Sequence, residues 1–127
     1  MERIDAVVVG GGLGGLTCAY CLAQEGMQVL VLERGDHPGS KNVTGGRIYL
    51  RPLQPYLPEF WDAAPLERAV TKEVITMLGD TSSLTLQFTS DKFRESPTHS
   101  YTILRSRFDK WLGERVVEKG GLVIPQR

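Results

Sequence analysis

Ile4-Asp5-Ala6-Val7-Val8-Val9-Gly10-Gly11-Gly12-Leu13-Gly14-Gly15 is the stretch that decides the fold. Its first half is β-branched and almost unbroken in apolarity, the composition of a parallel-sheet strand covered on both faces. Its second half places Gly10, Gly12 and Gly15 in the spacing G-x-G-x-x-G. Each glycine has its own reason. Gly10 permits a sharp turn out of the strand, Gly12 removes a Cβ so that backbone can approach a pyrophosphate, and Gly15 lets a helix lie close on the sheet. Leu13 and Gly14 complete the turn, and the helix that starts here offers unpaired N–H groups and a positive dipole end to phosphate charge.

Moving outward, Leu16, Ala19, Tyr20 and Ala23 recur at three- and four-residue intervals and predict one buried stripe on a helix over 14–24, with Gly26 placed to end it. A second strand follows over 28–32, which closes a β-α-β unit of about 30 residues. Glu33 stands at the end of that strand, with seventeen residues between it and Gly15. A carboxylate there can accept hydrogen bonds from both hydroxyls of an adenosine ribose, and it repels a 2′-phosphate. A glycine-rich turn alone specifies little, but strand, turn, helix, second strand and Glu33 together specify a dinucleotide site. They do not separate NAD from FAD.

Beyond Glu33 the chain is polar and glycine-rich as far as Gly46, then carries Pro52, Pro55, Pro58 and Pro65 around a short predicted helix. Val74–Leu78 and Leu84–Phe88, joined by Gly79-Asp80-Thr81-Ser82-Ser83, predict an antiparallel hairpin, and Ser100–Leu104 a further strand. These strands do not continue a β-α-β series. The expectation is therefore a nucleotide-binding layer over 1–49 and 105–127, interrupted over 50–104 by the start of a small antiparallel, substrate-side domain. Trp111, Leu112, Arg115 and Val116 predict a helix over 109–119, ended by Gly120-Gly121, and Leu122–Ile124 one more strand. That last strand has no returning chain after it, so the sequence is expected to be the front part of a longer one.

Composition excludes several classes. Among 127 residues, fifteen Lys and Arg balance fifteen Asp and Glu, and no basic block marks a nucleic-acid surface. The apolar run Ala6–Val9 is too short for a signal-peptide core or a bilayer span, which predicts a cytoplasmic chain with at most peripheral membrane contact. Cys18 and Cys21 form C-x-x-C, but inside the predicted helix, so they are expected to be inert core residues. His37 and His99 are isolated, no metal set is expected, and no Ser/His/Asp or Cys/His nucleophile can be assembled. Asp109 and Glu114 read as helix-surface carboxylates, and Trp61 and Trp111 as packing residues.

The segment Glu33-Arg34-Gly35-Asp36-His37-Pro38-Gly39-Ser40-Lys41-Asn42-Val43-Thr44-Gly45-Gly46-Arg47-Ile48-Tyr49 resembles the FixC-type branch of the electron-transfer flavoprotein:quinone oxidoreductases, where E-R-G precedes a G-x-K-N-x-T-G-G-R-x-Y loop. Ser100–Leu112 is similar to the same family's segment in which an arginine contacts the flavin before a helix. The geranylgeranyl reductases share the glycine motif and the Glu-Arg pair. The resemblance implies an α/β, glutathione-reductase-like FAD-binding Rossmann domain. In addition to the glycine turn and Glu33, it implies cofactor contacts from Arg34, Lys41, Thr44, Gly45, Gly46 and Arg105. Lys41 and the amides around Thr44-Gly45-Gly46 suit the negative charge that a reduced flavin carries near N1. The implied activity is electron transfer from an electron-transfer flavoprotein through FAD to a ferredoxin-like protein or quinone. An isoprenoid reductase and a non-catalytic nucleotide-binding fragment are the alternatives. With later flavin motifs missing, the chain alone is expected to hold FAD weakly or not at all.

Overall fold

A computed structural model describes residues 3–58, 60–95 and 98–127, excluding the side chains of Phe60 and Trp61. The expectation for Trp61 therefore lies outside the described residues. The strands are β1 (Ala6–Val9), β2 (Val29–Glu33), β3 (Gly45–Tyr49), β4 (Leu66–Ala69), β5 (Lys72–Leu78), β6 (Ser83–Thr89), β7 (Ser100–Leu104) and β8 (Leu122–Pro125). The helices are α1 (Leu13–Gln24), α2 (Phe60–Ala63) and α3 (Arg105–Glu118).

Among the described residues these strands form three sheets. β1, β2 and β8 form a parallel sheet with β2 in the middle, in a register that sets Val9 beside Leu32 and Leu32 beside Ile124. β3, β7 and β4 form an antiparallel sheet with β7 in the middle, and β5 and β6 form a hairpin. Such a parallel sheet with a glycine turn and crossover helices is a Rossmann-like α/β fold.

The core lies between the parallel sheet and the helices. Leu16, Ala19, Tyr20 and Ala23 of α1, the four positions read from the sequence, are all buried against Val29 and Val31 of β2 and Phe108, Leu112 and Val116 of α3. Both long helices cover this one face, and that corrects the expectation that the first strand is covered on both. Val7 and Val9 are 55% and 83% exposed, on the face that also carries the partly exposed Leu122 and Ile124. The sequence pattern is two-sided, but the described residues cover a single side.

The hairpin is similarly open. Its register sets Ile75 beside Leu86 and Met77 beside Leu84, and each of these four side chains is more than half exposed. The short helix expected among the prolines is the four-residue α2. Two strands are additional to the expected set, β3 within the glycine-rich loop and β4 after Pro65.

Candidate dinucleotide-binding site

The site begins where β1 ends. Gly10 takes φ +101°, a backbone conformation that a side chain makes costly, and its N–H donates to the Leu32 carbonyl at 2.8 Å. The chain leaves the strand and enters α1 within three residues. A Cβ added to Gly15 would stand 2.1 Å from the Gly10 carbonyl oxygen, which explains why that position holds glycine. A Cβ at Gly12 or Gly14, by contrast, would meet nothing within 4 Å. Space therefore lies open over the first turn of α1.

Among the described residues, no side chain caps the same turn. Gly12 caps α1 with no side-chain hydrogen bond, and the first turn holds no acidic residue. N–H groups at a helix start that no side chain caps favour an anion. Open backbone beside such a helix start is the cradle that a pyrophosphate needs, so these residues fit a dinucleotide.

Glu33 closes one edge of the turn. One carboxylate oxygen accepts the Gly11 N–H at 2.8 Å and the other accepts the Gly35 N–H at 2.6 Å. A Cβ on Gly11 would stand 2.8 Å from the first of these oxygens. The carboxylate is thus held at the glycine turn with half of its acceptor capacity unused among the described residues, available to ribose hydroxyls.

Residues 35–46 are fastened between Glu33 and α3. A Cβ on Gly39, which has φ +83°, would stand 2.9 Å from Asp109 Cβ and 3.0 Å from the Arg105 carbonyl. Pro38 lies against Gly113 of the same helix. The fastening centres on Asp109, which is wholly buried. It accepts two hydrogen bonds from Arg105, both at 2.9 Å, and one from the Asn42 side-chain amide at 2.7 Å. This hydrogen bonding holds the Arg105 guanidinium above its ordinary arginine value, despite an opposing cost of burial. The Arg105 backbone N–H donates to the Thr44 carbonyl at 3.3 Å, which fixes the end of the loop where β3 begins.

Of the residues expected to bind the cofactor, Gly10, Gly12, Leu13, Gly14, Gly15 and Glu33 come together at the β1–α1 turn. Arg34 follows β2 and is exposed, as are Lys41, Thr44, Gly45 and Gly46 around the start of β3. Arg105 opens α3 and is bound to Asp109. Asp109 itself corrects the surface reading of that carboxylate. Its signal was present as an Arg-x-x-x-Asp spacing that sets the two on one helix face, but its other partner, Asn42, lies 67 residues away.

The cysteines require a second correction. Cys18 is exposed rather than in the core, and only Cys21 packs against it. Burial, with smaller contributions from Cys18 and Glu25, pushes the Cys21 thiol up from its ordinary value. Among the described residues, no three His, Cys, Asp or Glu side chains gather as metal ligands, and no helix is long and apolar enough to cross a membrane.

Comparison with known proteins agrees with this geometry. The family model of an NAD(P)-binding Rossmann-like domain matches residues 8–62. Protein FixC of Rhizobium meliloti is 45% identical over 123 residues, which is 97% of this chain and 28% of that protein. Protein FixC of Escherichia coli K12 is 44% identical over the same share of this chain and 29% of its own length. In structure, the chain is similar to a geranylgeranyl bacteriochlorophyll reductase-like protein from Thermoplasma acidophilum, with a TM-score of 0.75 and 25% identity over 99% of this chain and 30% of that one. The chondrochloren halogenase CndH, described as a variant of FAD-dependent halogenases, aligns with a TM-score of 0.68 and 26% identity over 99% of this chain and 29% of its own. The chain is thus a sequence relative of the FixC proteins over 97% of its own length, and it spans about 28% of theirs.

Proposed function

We propose that the chain is the dinucleotide-holding part of an FAD-dependent oxidoreductase of the FixC type. The observation that carries this reading is the Glu33 carboxylate hydrogen-bonded to the Gly11 amide beside an uncapped, open helix start. In this reading residues 1–49 and 105–127 hold the cofactor and residues 50–104 form the substrate side. Gly12, Leu13, Gly14 and Gly15 offer amide hydrogens to the pyrophosphate, and Glu33 takes the ribose hydroxyls with its unused acceptor sites. Arg34 and Lys41 add cations at the exposed rim. Thr44, Gly45, Gly46 and Arg105 border the flavin end, and Asp109 holds Arg105 in place.

When bound, FAD takes up and releases one or two electrons, which asks for no acid or base from the chain. The donor in this reading is an electron-transfer flavoprotein and the acceptor a ferredoxin-like protein or a quinone. The setting is the cytoplasm, with peripheral contact at the inner face of the membrane. Mixing the chain with FAD and a reduced electron-transfer flavoprotein tests it. Bleaching of the flavin band that depends on the chain supports the reading, and no dependence contradicts it.

The likeness to the geranylgeranyl reductase-like structure favours one second reading, reduction of an isoprenoid double bond. Conversion of a prenylated lipid by the FAD-loaded protein, with no response to electron-transfer flavoprotein, would select it.

A further inference from the structure

A cavity lined by none of the residues assigned above to the cofactor lies between Phe88 at the end of β6, the turn at 91–93, and Thr98 and His99. It measures about 480 Å³, which is room for a bicyclic ring and too little for a dinucleotide. One part of its wall is aromatic. Phe93 and His99 lie stacked with ring centroids 5.1 Å apart, and Phe88 meets Phe93 edge-on at 5.6 Å. Phe88 is 60% exposed, a large apolar ring left open on the cavity side of the hairpin.

One polar group of the cavity is buried without a partner among the described residues. Thr98 is 8% exposed, and its hydroxyl oxygen is buried with no hydrogen-bond partner among the described residues. A buried hydroxyl without a partner is rare in a finished site, because it has given up water for nothing. Two cations, Arg51 and Lys92, stand at the same cavity against one carboxylate, Glu95. None of these three forms an ion pair among the described residues.

Flat aromatic walls select a planar ring, and a net positive rim selects an anion. We infer that this cavity binds a small aromatic carboxylate, its ring against Phe88 and Phe93 and its carboxylate towards Arg51 and Lys92. The inference does not depend on the FAD reading, since it uses a separate cavity and separate residues.

The test is titration of the 127-residue chain with 2-naphthoate, followed by calorimetry and ligand fluorescence. One saturable site is expected. The neutral 2-naphthamide should bind about tenfold more weakly, and the double variant Arg51→Gln/Lys92→Gln should weaken 2-naphthoate by a similar factor. Both substituted residues are exposed, so the variant should keep the fold, checked by its melting curve; Phe93→Leu, which removes a buried ring of the cavity, should abolish binding. Excess ADP should leave 2-naphthoate in place. Absence of saturation, equal binding of the amide and the acid, indifference to the double variant, or displacement by ADP would each overturn the inference.

Discussion

The Glu33 carboxylate accepts the Gly11 amide hydrogen at 2.8 Å, which fastens the end of β2 to the turn that ends β1. Its other oxygen accepts from Gly35 at 2.6 Å, so one side chain sets both the glycine turn and the start of the following loop. Charged hydrogen bonds of this kind contribute about 1.5–3 kcal/mol, less where water can replace them. Glu33→Ala is expected to cost about 2 kcal/mol in urea unfolding, and Glu33→Gln about half of that, since an amide keeps one acceptor oxygen.

The glycines separate stability from binding. Gly12→Ala places a methyl in open space, so its stability should change by less than about 1 kcal/mol, the scale of a poorer helix cap. The same methyl occupies the path of a pyrophosphate, and nucleotide binding should be lost. Gly15→Ala drives a Cβ to 2.1 Å from a backbone oxygen. It should lower stability by about 3 kcal/mol or more, measured by the same unfolding curves.

Asp109 is wholly buried and holds both Arg105 and Asn42. Asp109→Ala should cost about 2–4 kcal/mol; this is less than for a fully buried pair, because the Arg105 side chain remains 29% exposed and can be rehydrated. The loop at 37–46 should then become a preferred site of limited proteolysis, with Lys41 the expected tryptic cut. Unchanged protection of that loop would mean that Asp109 does not hold it.

Arg47 donates to Glu73 at 2.7 Å, and chiefly through this hydrogen bond it holds the Glu73 carboxyl below the usual carboxylate range. The folded value lies below the unfolded one. The pair therefore contributes stability above the unfolded carboxylate value and loses it as pH falls through the folded value. Thermal melts between pH 7 and about pH 3 should show a steeper acid loss for the wild type than for Glu73→Gln.

Cys18 is exposed, whereas Cys21 is part-buried with its thiol pushed up. The thiolate is the reactive form. Iodoacetamide at pH 8 should label Cys18 first, by peptide mass mapping, with Cys21 several-fold slower.

Local pattern carried the elements whose packing is local. The stripe Leu16, Ala19, Tyr20 and Ala23 was legible because helix period and burial coincide, and the hairpin because its turn is rich in Gly, Asp and Ser. β3 was not, since Gly45 and Gly46 argue against a strand, and its pairing with β7 comes from residues more than fifty positions away. Nor was β4, whose Leu-Glu-Arg-Ala has no alternation and whose pairing with β7 shifts register. At the site, the turn and Glu33 were readable from spacing, whereas the burial of Asp109 depended on a loop and a helix meeting in space. A continuous apolar strand also reads as two-sided whether or not the described residues supply the second cover, as Val7 and Val9 show.

Titration of the ¹⁵N-labelled chain with FAD, read amide by amide, shows whether the glycine turn and Glu33 hold the dinucleotide. It works even for weak binding. Saturable shifts are expected at Gly10–Gly15 and at Glu33–Gly35, with affinity reduced in Glu33→Ala. FAD that shifts other amides while leaving those two segments unmoved, or that shifts none at all, would contradict that placement of the cofactor.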